Sequence, residues 1–226
     1  MWNSIRQTLL VLLLLCFGKT PLVWATATGT VSGTVKLKQA SGSVIDPAGV
    51  VVYLEGVAGA LPQESELARV QLHQRDLQFD PPLLVITQGT TVDFLNDDRV
   101  FHNVFSFSEA AKFDLGLYKS GTTKSVTFRK PGVINVYCNI HPEMISKIRV
   151  LDTTFFAVVG KDGRFQIDRI PIGTYSIVAW QSYGEEFRGQ VTITSGGKAS
   201  VSIELTQGSK ELRHSRKDGT PYGRYK

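Results

Sequence analysis

The chain has 226 residues and a formal charge of +5, long enough for a real core in one large domain or two small ones. The charge is uneven: Arg6 and Lys19 lie near the start, and residues 207–226 hold six Lys or Arg against two acidic residues. What lies between is close to neutral, which excludes a folded basic surface for nucleic acid.

Arg6 precedes an uncharged apolar run from Leu9 to Phe17, and small residues follow at Ala25 and Ala27. This is the pattern of a secretory signal peptide over residues 1–27, with cleavage after Ala25 or Ala27 and export to the periplasm. A membrane anchor is the competing reading, but the run is much shorter than the ~20 residues that span a bilayer. No later segment is long and apolar enough to cross, so no stable membrane insertion is expected. A lipid anchor on Cys16 is disfavoured by Leu15, which stands where a small residue belongs. Cleavage carries Cys16 away and leaves Cys138 as the single thiol. An unpaired cysteine in an oxidising compartment is a liability unless it is buried, reactive or bound to a metal.

From Gly29 to Thr206, short runs rich in Val, Ile, Thr, Phe and Tyr are punctuated by Gly, Pro, Asp and Ser, without a sustained helical period. An all-β fold follows. In chain order, strands are predicted over 33–38, 49–55, 83–87, 90–96, 103–107, 124–128, 132–138, 147–151, 155–159, 164–168, 173–181, 190–194 and 199–204. These exceed one sandwich of roughly seven to nine strands, so two β domains are expected. Residues 57–71 mix Gly, Pro and Glu with scattered apolar positions and read as a linker or loop, or a helical turn. After Thr206 the alternation stops, and residues 207–226 read as a solvated, disordered basic tail. Contact of that tail with an acidic partner or anionic lipid heads is the alternative.

Val158 to Ala179 contains a Lys-Asp-Gly turn, an alternating strand, a Pro-x-Gly turn and a second alternating strand that runs into Trp180. That is a β-hairpin signature. It resembles the second half of the carboxypeptidase regulatory-like domain, a small transthyretin-like β sandwich. Gly33-Thr34-Val35 followed by Gly49 to Leu54 resembles its first half. The resemblance implies one discontinuous sandwich, residues 28–57 and 152–206, with residues 58–151 inserted. On the competing reading the first strands belong to the central domain.

Val136-Tyr-Cys-Asn-Ile-His-Pro-Glu-Met144 sets Cys138, His141 and Met144 at a Cys-x2-His-x2-Met spacing directly after a predicted strand. Upstream, His102 in Phe101-His102-Asn103-Val104 supplies a second imidazole. Two His, one Cys and a long axial Met are the donor set of type 1 copper. Thiolate and thioether suit Cu(I), and imidazole is acceptable to both oxidation states. Ligation also consumes the thiol proton of Cys138, which accounts for a lone cysteine in an exported chain. Asp97, Asp98 and Arg99 read as a turn and not as catalytic acids. His73 reads as a surface residue and His214 as part of the tail.

Residues about 66 to 151 resemble a cupredoxin of the plastocyanin and amicyanin kind. The likeness rests on the strand Phe94-Leu-Asn, the His102-Asn103-Val104 element, the Pro131-Gly132 turn, Tyr137 before the cysteine and the short ligand loop. It implies a Greek-key β sandwich or barrel binding one copper ion through His102, Cys138, His141 and Met144. It also implies that Asn103 ties the two ligand elements by hydrogen bonding and that His141, flanked by Ile140 and Pro142, is the electron port. Glu143, an acid beside the axial position, departs from the pattern.

The expected function is one-electron transfer to a periplasmic redox partner such as a cytochrome. The alternative is copper binding or delivery without redox cycling. An enzyme is not expected: the His-x-His clusters of a trinuclear copper centre are missing, and a dinuclear purple centre needs a second cysteine.

Overall fold

The computed structural model describes residues 27–59, 68–210 and 213–222; the expected signal peptide lies outside them except for its last residue. Among the described residues there are seventeen strands and no helix. Two sheets draw on both ends of the chain. One has the order β14 (Arg164–Pro171), β1 (Thr28–Gln39), β17 (Lys198–Gln207), with β2 (Val44–Ile45) on β1. The other runs β13 (Phe156–Val158), β3 (Val51–Glu55), β15 (Gly173–Trp180), β16 (Phe187–Ile193). The middle of the chain forms two more. Their orders are β10 (Thr123–Thr127), β7 (Thr91–Asn96), β4 (Arg69–Arg75), β5 (Gln78–Asp80), and β6 (Leu83–Thr87), β12 (His141–Leu151), β11 (Gly132–Cys138), β8 (His102–Ser108), β9 (Ala111–Tyr118).

Period-two alternation explains the strands. In β12, Met144, Ser146, Ile148 and Val150 point inward, and in β14 Phe165 and Ile167 do. β1 and β17 pair in parallel from Thr30↔Lys198 to Gln39↔Gln207. Gly33 permits this: a Cβ there would collide with the Val201 carbonyl oxygen and the Phe165 ring.

Each pair of sheets closes over its own core. Val31, Val52, Ile177 and Ile203 are among the residues of one; Leu72, Phe94, Val136, Cys138, Met144 and Ile148 are among those of the other. A third cluster joins them, with Val51, Tyr53, Val178 and Trp180 meeting Leu151 and, at its margin, Leu83, Val85 and Val133. Arg149 crosses the same seam. Its guanidinium donates to the Tyr53 hydroxyl at 2.5 Å and lies over the Tyr53 and Trp180 rings, 5.2 and 5.3 Å from their centroids, within cation–π range.

The structure differs from expectation in four places. β12 begins at His141, six residues before the strand expected over 147–151, so His141 and Met144 stand on a strand and the ligand loop shrinks to a two-residue turn. β2, β4, β5 and β9 are strands that the pattern did not mark. The linker expected over 57–71 ends earlier, because Arg69, Val70 and Gln71 belong to β4, which pairs in parallel with β7; residues 60–67 lie outside the described residues. β4 is polar because only Leu72 and Gln74 are buried, so it shows no apolar run. Finally, Gln207 still belongs to β17, and residues 213–222, mostly exposed, make specific contacts with the turn between β11 and β12 through Lys217 and Tyr222.

Arg69 fastens β4 by donating two hydrogen bonds to Asp93, each 2.6 Å long, and the Ser125 hydroxyl donates to the same carboxylate at 2.5 Å. Burial pushes the Asp93 carboxyl up from its ordinary 3.8, but the Ser125 and Arg69 bonds outweigh it and hold it lower. A carboxyl lowered on folding stabilises the fold above its unfolded pKa, and that contribution is lost as pH falls through the folded value. Asp93→Asn is therefore expected to lower stability at neutral pH and to flatten its fall below about pH 4. Urea titrations of both proteins at several acidic pH values check this; parallel curves would refute it.

Candidate metal centre

β11 ends at Cys138 and β12 begins at His141, so Asn139 and Ile140 form a two-residue turn with Cys138 and His141 as register partners. His102 opens β8, which pairs with β11 through Val104↔Cys138. Three neighbouring strands thus deliver the three side chains to one end of a sheet. Cys138 Sγ lies 3.5 Å from His102 Nδ1 and 3.4 Å from His141 Nδ1, and the two nitrogens are 3.1 Å apart. A point equidistant from the three atoms is roughly 1.9 Å from each, close to the ~2.0–2.1 Å of a metal–imidazole bond. His102 and Cys138 are fully buried, and His141 is partly exposed.

The surroundings put the two imidazoles in ligating form. His102 Nε2 is 2.8 Å from Asp98 Oδ2. A carboxylate accepts only, so Nε2 carries the proton and Nδ1 keeps its lone pair. Desolvation lowers the His102 pKa against the opposing pull of Asp98, and desolvation followed by the nearby His102 lowers that of His141. Both imidazoles are thereby biased to the neutral form. Burial pushes the Cys138 thiol up, opposed by main-chain N–H groups of Ile140, Asn103 and His141 that donate to the sulfur.

Met144 is fully buried in the same core as Cys138, whereas Glu143 is exposed on the opposite side of β12. Asn103 does join the two ligand elements, but through its main chain: its carbonyl accepts the Asn139 N–H at 2.8 Å. Its side-chain amide instead donates to Asp114 at 2.6 Å. His73 stands apart, paired with Asp97 at 2.6 Å. Asp98 was legible only as a turn residue. It does cap the Asp76 and Leu77 N–H groups, and its four-residue offset before His102 is the signal for its second role.

Two imidazoles and a thiolate on adjoining strand ends of a β sandwich define a cupredoxin centre. Residues 67–151 match the model of the copper binding proteins of the plastocyanin/azurin family. Amicyanin-alpha of Methylorubrum extorquens is 31% identical over 98 residues, 41% of this chain and 82% of that protein. The chain belongs to the plastocyanin/azurin family, and its metal is copper. Among solved structures, a purple cupredoxin from Nitrosopumilus maritimus is 28% identical, covering 36% of this chain and 99% of that one, with a TM-score of 0.34. A copper-containing nitrite reductase from Thermus scotoductus is 30% identical over 37% of this chain, with a TM-score of 0.35. The chain spans only 22% of that reductase.

Asp98→Asn removes the charge that fixes the His102 tautomer while keeping the side chain's size. It is expected to weaken copper binding roughly 10- to 100-fold, the usual cost of losing such a partner, with an unchanged β circular dichroism spectrum. Competition with a chromophoric chelator measures this, and wild-type affinity in the variant would refute it.

Proposed function

We propose that this chain is an exported one-electron carrier whose copper is held by His102, Cys138 and His141, with Met144 as a weak axial ligand. The observation that carries the reading is the triangle of 3.1, 3.4 and 3.5 Å between the three donor atoms. Bound copper supplies a centre that alternates between Cu(II) and Cu(I) and so takes up and gives out one electron.

The protein's part is to hold one donor geometry that serves both states. Cys138 is locked by the N–H groups on its sulfur, and His102 by Asp98. Strand alternation supports Met144 over Glu143 as the fourth donor, since only residue 144 points into the core. His141, partly exposed between Ile140 and Pro142, is the proposed port toward a periplasmic redox partner such as a cytochrome. The chain acts as a carrier and not as an enzyme.

We assign residues 58–151 to the copper module, and residues 28–57 with 152–206 to a sandwich of the carboxypeptidase regulatory-like kind. Support comes from the pairing: β1 to β3 and β13 to β17 join sheets only with one another and share a core.

Copper-loaded protein is expected to be intensely blue and to bleach reversibly with a mild reductant. Cys138→Ala should abolish the band and keep the fold, because alanine replaces a small buried side chain. Met144→Leu should keep the colour and shift the reduction potential, which the axial ligand tunes. Absorption, paramagnetic resonance and voltammetry read these outcomes. A colourless Cu(I) protein that hands its metal to acceptors would replace the carrier reading with copper delivery.

A further inference from the structure

Residues 213–222 lie across the turn that carries two of the three clustered donors. The Tyr222 hydroxyl donates to the Cys138 carbonyl at 2.7 Å, and the Lys217 N–H donates to Asn139 Oδ1 at 2.8 Å. The His214 N–H donates to the Pro142 carbonyl at 3.2 Å, and its Nε2 is 3.3 Å from the His141 carbonyl oxygen. Of the five residues from Cys138 to Pro142, four are thus met by this one segment.

Ring contacts fix the segment in place. His214 stacks on Tyr137, with centroids 4.5 Å apart and an interplanar angle of 27°, and Tyr222 meets the His214 ring edge-on at 5.4 Å. The Arg216 guanidinium lies over the Tyr222 ring at 5.2 Å. Lys217 Nζ reaches Asp114 at 2.6 Å, the carboxylate that also takes the Asn103 amide. One segment therefore grips the Cys138–His141 turn and, through Asp114, the element that follows His102.

We propose that residues 213–222 form a latch on the ligand loop, with Tyr222 and His214 as positioning residues that hold Cys138 and His141 in register. The latch adds no donor atom. It narrows the conformations open to a two-residue turn, so that the loop is preorganised when metal enters. Only the metal readouts below rest on the copper reading; the hydrogen-exchange readout is made without metal.

Four variants test it: a chain ending at Lys210, Tyr222→Phe, His214→Ala and His214→Phe. In the metal-free protein, amide exchange at Asn139 to His141 should rise about fivefold for each hydrogen bond lost, with exchange in β1 and β17 unchanged. Copper release to a chelator should quicken roughly tenfold, and the absorption band should shift. His214→Phe, which keeps the stacked ring, should retain more loop protection than His214→Ala. Wild-type exchange at Asn139 to His141 in both the shortened chain and Tyr222→Phe would overturn the latch. If the shortened chain fails to fold, Tyr222→Phe in the full chain decides by the same readout. Failure of copper to bind at all would remove the carrier reading, and exchange in the metal-free protein would still decide this one.

Discussion

A sulfur and two imidazole nitrogens within 3.5 Å of one another, two of the three groups out of reach of water, are a costly arrangement for a protein with nothing to share between them. Asp98 holds the His102 proton on Nε2, so its Nδ1 lone pair points at the sulfur and at the second imidazole. A cation satisfies all three donors at once. The division of labour among residue types follows. Sulfur side chains behave as small hydrophobes, so Cys138 and Met144 sit in the apolar core with no exposed surface. Imidazoles need a partner for their second nitrogen, so His102 and His141 stand at strand ends, where a carboxylate or solvent can be met.

Holding that triangle open is a task for stiff backbone, and one strand does much of it. β12 carries His141 at its first residue, turns Met144 and Ile148 into the copper module's core, and reaches the seam between the sandwiches with Arg149 and Leu151. At ~3.3 Å per residue, its eight steps from His141 to Arg149 make a rod of roughly 26 Å. Its far end is pinned by Tyr53 and Trp180. Packed interiors are dense and yield little, so anchoring Arg149 and Leu151 stiffens the strand that carries His141 at its other end.

The sequence showed the parts of this design that follow simple periods. All thirteen expected strands have counterparts, some by alternation of apolar and polar residues, as in β14, and others as short apolar runs, as in β3 and β6, although β12 starts six residues before its expected first residue. The clustered donors His102, Cys138 and His141 were legible because a single thiol three residues before an imidazole, at the end of a strand, suits a soft metal ion far better than it suits a packed core. What escaped notice had a broken period or none. β9 alternates Phe113 and Leu115 with Lys112 and Asp114, but at Gly116 the backbone turns left-handed, leaving Leu117 exposed and Tyr118 buried. β4 buries Gln74 in place of an apolar residue. Residues 213–222 resemble any solvated basic stretch, and their anchors, His214 and Tyr222, count only against Tyr137 and Cys138, which lie some eighty residues away in sequence. Propensity reads neighbours along the chain and is blind to such partners.

Sequence distance also separates how the two sandwiches come together. Every strand pair of the copper module lies between Arg69 and Leu151, whereas β1 takes its long partners from β14 and β17, more than a hundred residues later. Contacts closed over shorter loops cost less entropy and form sooner. The donors can therefore converge before β1 is paired, and the closed inner module brings the two halves of the outer one within reach. The three clustered donors lie within this locally paired stretch, while the grips on Arg149 and on the Cys138–His141 turn come from segments that reach them over much longer sequence distances.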